Sequence, residues 1–227
     1  MVDVYALNEF EFFERPGCGS AQNFVQNGQR RHALDMDSIR DIIVIGGSEG
    51  SFGPLRAILT GLPKDIPAAI LIVMHTGPSS PRLLASIFNT WSTLPVAYGK
   101  DGDRVQHGHV YVAPPDKHLE VVEPGVIHLS DGPKVKFSRP AADRLFETAA
   151  SVFGNRVISL ILSGNDGDGA EGANAVRMSG GLSLVQDPGN AVVPSMPIKA
   201  IEHDHPECLV RTTALVEVLM HAVGAVR

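Results

Sequence analysis

The sequence predicts an α/β fold: a doubly wound, mostly parallel sheet with helices on both faces and a small antiparallel hairpin. Three observations carry that expectation. Short runs such as Ile42-Ile43-Val44-Ile45 are apolar at consecutive positions, as strands buried on both faces are. Helical patterns alternate with these runs from residue 42 onward, which is the signature of parallel crossovers. Residues 118–122 and 126–129 instead alternate around Pro124-Gly125 and read as a hairpin.

The 227 residues allow one sizeable domain but not two. Residues 1–38 lack a clean period and are expected to be a poorly ordered extension; residues 39–227 form the domain. After the first strand comes a glycine-rich loop, Gly46-Gly47-Ser48-Glu49-Gly50-Ser51-Phe52-Gly53. Pro54 opens a helix with Leu55, Ile58, Leu59 and Leu62 on one face, and Pro63 closes it. A second apolar strand, 69–74, ends in His75. Pro81 begins a helix carrying Leu84, Ile87, Phe88 and Trp91. Short strands follow at 96–98 and 110–113, then the hairpin. Pro140 opens a helix with Leu145, Ala149 and Val152. A strand at 157–162 leads into Ser163-Gly164-Asn165-Asp166-Gly167-Asp168-Gly169 and a helix at 170–178. A strand at 182–185, a short helix near 196–201 and a last helix at 214–223 complete the set.

Composition excludes several classes. Lys and Arg total 19 against 25 Asp and Glu, for a net charge of -6. Nucleic-acid binding needs clustered cations that this chain lacks. No apolar run is long enough for membrane insertion, and no secretory signal opens the chain. Cys18 and Cys208 are the only cysteines, so a disulfide framework is improbable and a cytoplasmic location is the default.

In doubly wound sheets the functional crevice lies beyond the carboxyl ends of the strands. That rule selects the loops after Ile45, Met74 and Leu162, which offer Ser48, His75 and Asp168. A serine hydroxyl becomes nucleophilic when a base takes its proton. An imidazole can do so near neutral pH, and a carboxylate on its other nitrogen fixes the tautomer and stabilises the imidazolium. Gly46-Gly47-Ser48-Glu49-Gly50 also matches G-x-S-x-G, a bend that projects the hydroxyl outward. Plain βα-loop chemistry produces such glycines too. Phosphate binding is the lesser alternative, because neither G-x-G-x-x-G nor G-x-x-x-x-G-K-[ST] is present. Asp166 and Asp168 can equally belong to a turn, and their spacing fails the EF-hand pattern. His107-Gly-His109 and His203-Asp-His205 read as loop histidines, not a metal site.

From about residue 41 to 223 the chain resembles the catalytic domain of CheB, the chemotaxis protein-glutamate methylesterase. The landmarks are Ile45-Gly46-Gly47-Ser48-Glu49-Gly50, Met74-His75, Asp101-Gly102-Asp103, Gly108-His109-Val110-Tyr111-Val112-Ala113-Pro114, Arg139-Pro140-Ala141-Ala142-Asp143, Ile161-Leu162-Ser163-Gly164 with Asp168-Gly169-Ala170, and Met196-Pro197. The resemblance implies hydrolysis of glutamate methyl esters on chemoreceptors, with deamidation of certain receptor glutamines as a second activity. It places the nucleophile on Ser48, the base on His75 and the orienting carboxylate on Asp168. It implies no metal and no organic cofactor.

Two departures fall in the substrate and oxyanion region. Glu49 stands where the family usually has Thr, and Asn165 where it has Met. A carboxylate at 49 is expected to weaken oxyanion stabilisation or raise the pKa of His75. The backbone N–H at 165 can still serve as a donor. These changes motivate an alternative, a catalytically impaired receptor-binding module. Family members also carry a receiver domain that residues 1–38 cannot form, so a constitutively open site or a regulator acting in trans is expected.

Overall fold

The computed structural model describes residues 39–225, except 205, 207 and the side chain of residue 204. The expected N-terminal extension, with Cys18, lies outside the described residues, as does His205. Strands β1 (Ile42–Gly47), β2 (Ala69–Met74), β3 (Val96–Tyr98), β4 (Val110–Val112), β7 (Val157–Ile161), β8 (Leu182–Gln186) and β9 (Cys208–Val210) form one sheet in the order β3-β4-β2-β1-β7-β8-β9. Every pairing in it is parallel. β5 (His118–Val122) and β6 (Val126–Ser130) make the separate antiparallel hairpin.

The helices are α1 (Phe52–Gly61), α2 (Leu84–Trp91), α3 (Ala142–Phe153), α4 (Ala170–Met178), α5 (Ser195–Asp204) and α6 (Leu215–Ala222). β1 and β2 are buried at every position, which is why they read as unbroken apolar runs. Their side chains divide by the two-residue period of a strand. Ile43, Ile45, Ile70 and Ile72 join Leu55, Ile58, Phe88 and Leu219 in a core under α1, α2 and α6. Ile42, Val44, Leu71 and Val73 join Leu145, Phe146, Ala173 and the hairpin's Leu119 and Ile127 on the opposite face. Each such fully buried side chain contributes about 1.5–3 kcal/mol.

Element boundaries shift slightly from expectation. α1 begins at Phe52, and Pro54 sits within its first turn, where a missing N–H has no intrahelical acceptor to lose. α3 begins at Ala142, because Ala141 is still extended at φ -121° and ψ 138°. β9 was not expected at all. Its three residues carry too little pattern, and they are a strand because Cys208 pairs with Leu184 at the sheet edge. Among the described residues no helix is long and apolar enough to cross a membrane.

The chain passes from β1 to β2 on one side and returns to β7 on the other. The carboxyl ends of β1 and β7 therefore border a topological switch point, where α/β folds open their crevice. α3 crosses close above β1 because Gly46 has no side chain; a Cβ there would lie 2.6 Å from Ala142 Cβ. Gly46→Ala is expected to destabilise the fold by about 1–3 kcal/mol through overpacking. Urea denaturation measures this, and an unchanged midpoint would mean that α3 has room to retreat.

Candidate active site

Ser48 and His75 follow the last paired residues of neighbouring strands. Gly47 is in register with Met74, and His75 N–H donates to Gly47 O at 3.0 Å. Adjacent strands run about 4.8 Å apart, so the two residues emerge side by side. Ser48 N–H donates to Ser163 O at 2.9 Å, which ties the first loop to the loop after β7.

Ser163 is the knot between these loops. Its backbone O also accepts Ser51 Oγ–H at 2.6 Å, and its N–H donates to Gln186 Oε1 at 2.9 Å. Its hydroxyl accepts Val193 N–H at 2.8 Å and lies 2.9 Å from Glu49 O and 3.1 Å from Val193 O. The next residue must be glycine, since a Cβ at 164 would run into Met196 and stand 2.9 Å from Ser48 Cβ. The loop carrying Asp168 thus packs directly on Ser48.

Asp168 is 1% exposed, yet its carboxylate is fully engaged. Oδ2 lies 2.7 Å from His75 Nε2 and accepts Ala142 N–H at 2.5 Å; Oδ1 accepts Asp143 N–H at 3.0 Å. These donors are free N–H groups of the first turn of α3, where the helix dipole also favours an anion. Gly169 follows at φ +93°, a conformation that glycine adopts without strain, and α4 starts there.

Sequence reasoning missed what lies on the other imidazole nitrogen. Asp166 Oδ2 is 3.3 Å from His75 Nδ1, and Ser138 Oγ is 3.5 Å from it. Ser138 Oγ also donates to Asp166 Oδ2 at 3.4 Å. Burial by itself would lower the pKa of His75. Hydrogen bonds to Asp166 and Asp168, and the charges of both, outweigh it and raise the pKa to about 9. Asp166 is in turn held below the usual carboxylate range: burial pushes it up, and the hydrogen bond and charge of His75, with the Asp168 N–H and the Ser138 hydroxyl, together more than reverse that.

The structure therefore joins His75 to Asp168 and sets Ser48 beside them. Among the described residues no hydrogen bond links the Ser48 hydroxyl to His75. Glu49 and Asn165, noted separately in the sequence, meet each other: Asn165 Nδ2 donates to Glu49 Oε2 at 2.6 Å. The raised His75 arises from Asp166 and Asp168, not from Glu49 as the sequence suggested. The backbone N–H groups of Glu49 and Asn165 make no hydrogen bond among the described residues, which leaves two donors beside Ser48. His107 lies elsewhere, at the start of β1, where its Nε2 is 2.9 Å from Asp41 Oδ2.

Comparison with known proteins agrees with this architecture. A family model described as CheB methylesterase matches residues 43–219. A protein-glutamate methylesterase/protein-glutamine glutaminase of Methanosarcina acetivorans is 35% identical over 192 residues, covering 82% of this chain and 54% of that protein. A putative enzyme of the same description from Leptospira interrogans is 38% identical over 162 residues, covering 71% of this chain and 84% of its own length. The crystal structure of the Thermotoga maritima CheB methylesterase catalytic domain superposes with a TM-score of 0.76 at 34% identity, covering 80% of this chain and 98% of that one. The chain spans about half the length of the Methanosarcina relatives it matches. One solved domain shares both the sheet and the sequence, and on that ground the chain belongs to the CheB methylesterase family.

Proposed function

We propose that this protein is a serine hydrolase that removes methyl esters from glutamate side chains of a signalling receptor, and that it also deamidates receptor glutamines. The observation that carries this reading is the His75–Asp168 pair, clamped on the first turn of α3 immediately beside Ser48. Family membership supports the substrate class, and the printed activities of the relatives support both reactions. No metal or organic cofactor takes part in the proposed scheme. The reaction belongs on the cytoplasmic side, where receptor signalling domains are reached.

Asp168 occupies Nε2, so Nδ1 is the nitrogen that accepts the Ser48 proton. The ring nitrogens thus exchange the duties they have in chymotrypsin-like triads. Ser48 Oγ attacks the ester carbonyl, and the tetrahedral oxyanion is met by the N–H groups of Glu49 and Asn165. The C–O bond breaks, and methanol leaves with the proton carried by His75. Water, deprotonated by the same nitrogen, then cleaves the acyl-enzyme and releases glutamate. With a glutamine substrate, ammonia leaves in place of methanol. The bond between Glu49 and Asn165 draws the carboxylate toward the Asp168 loop, which removes the main motive for a binding-only module.

Methanol release from a methylated receptor should fall by at least about a thousandfold in Ser48→Ala. Equal rates for variant and wild type would overturn the assignment. The neutral imidazole is the base, so kcat/KM should climb with pH through about 9. A flat profile between pH 6 and 9 would contradict the role of His75. Stability should follow the opposite course. The folded pKa exceeds the unfolded value of 6.5, so the charged ring stabilises the fold fully below pH 6.5, and this is lost as pH rises through about 9. Thermal melts across that window should show the loss in wild type and Ser48→Ala, and a smaller one in His75→Gln.

A further inference from the structure

We propose that Asp166, bridged by Ser138, is a positioning residue that occupies the reactive nitrogen of His75 in the resting site, so that turnover begins only when this carboxylate lets go. The proposal rests on the reading that His75 is the base for Ser48. Asp168 already takes Nε2 through a buried carboxylate held by two helix N–H groups. The proton of Ser48 must therefore go to Nδ1, and Asp166 Oδ2 stands 3.3 Å from that atom.

The two carboxylates differ in freedom. The Asp168 side chain is 0% exposed, whereas that of Asp166 is 33% exposed and has a path to solvent. One is a fixture and the other a latch. An imidazolium donates to both at once. When the ring loses its Nδ1 proton, its lone pair repels the Asp166 carboxylate, which turns outward and leaves Nδ1 to the adjacent Ser48 hydroxyl.

The bridging hydroxyl is delivered by a tight turn. Val135 and Ser138 exchange backbone hydrogen bonds at 3.1 and 2.8 Å. The two residues between them, Lys136 and Phe137, have φ of 45° and 68°, left-handed values that strain non-glycine residues. Strain of this kind persists where surrounding contacts impose it. Lys136 Nζ supplies them, bonding Asp143 Oδ2 at 2.8 Å and Gly167 O at 2.9 Å, within the loop that holds Asp166.

The other charges around His75 are already paired. Asp143 neighbours Asp168 and is pushed up to about 6, by burial first and by the Asp168 charge second. Lys136 answers Asp143, and Glu171 Oε1 lies 3.3 Å from the same ammonium. Glu49 is turned to Asn165. Asp166 is thus the carboxylate whose removal changes the field at Nδ1 while the Asp168 contact stays intact.

The test uses the full chain and two readouts. His75 is titrated by NMR in Ser48→Ala, with and without Asp166→Asn, which needs no turnover. Asn keeps the Oδ1 that accepts Asp168 N–H at 3.1 Å, so the loop retains that bond. The titration midpoint should drop by at least one pH unit, a tenfold change in proton affinity. In parallel, kcat/KM on methylated receptor is measured from pH 6 to 10 for wild type and Asp166→Asn. The variant should gain about tenfold or more at pH 7 and converge with wild type at the alkaline end. Ser138→Ala should shift both readouts in the same direction by less. An unmoved midpoint overturns the latch whatever the rates do. A lowered midpoint with slower turnover at every pH also overturns it, because Asp166 would then assist the reaction. A lowered midpoint with no Ser48-dependent turnover in either protein overturns the hydrolase reading, and the latch's part in turnover with it.

Discussion

The carboxylate of Asp168, seated on the first turn of α3, is the contact on which the site depends. An unpaired buried charge costs several kcal/mol, and here two backbone N–H groups and one imidazole compensate it. The arrangement requires α3 to lie close to both β1 and α4. Two glycines allow it: a Cβ at 46 would press on Ala142, and one at 172 would stand 2.9 Å from Asp143 O. Absent side chains place a helix, the helix end places a carboxylate, and the carboxylate sets the plane of the His75 ring. None of these steps requires a flexible residue to find its position by itself.

Much of this chain of causes was legible beforehand. β1 and β2 announce themselves because burial on both faces demands apolar residues at successive positions, and β7 does so with Ser159 as its one polar member. The rule that crevices open beyond strand carboxyl ends then isolated Ser48, His75 and Asp168 with no need for their distances. What stayed hidden depends on contacts between distant positions. Ser138 carries no local signal, since a serine before Arg139-Pro140 is ordinary loop chemistry. Asp166 reads as a turn residue from its neighbours alone. The turn at 135–138 is invisible because Lys and Phe occupy positions that normally call for Asn or Gly. β9 owes its state to β8 and not to its own three residues.

Two carboxylates on one imidazole divide the labour of orientation and charge. Asp168 is inaccessible and shared with α3, so it orients the ring. Asp166 is partly solvated and belongs to the loop alone, so it adds charge without adding rigidity. Together they explain why burial, which on its own favours a neutral histidine, loses to the surrounding field. The protonation of His75 is thus a property of the loop at 163–169 more than of the strand that carries the ring.

Glu49 and Asn165 sit 116 positions apart in the chain and share one hydrogen bond. Changing either residue by itself would leave the other's amide or carboxylate to solvent beside Ser48. The two side chains are therefore energetically coupled: the cost of replacing both together falls short of the sum of the two separate costs.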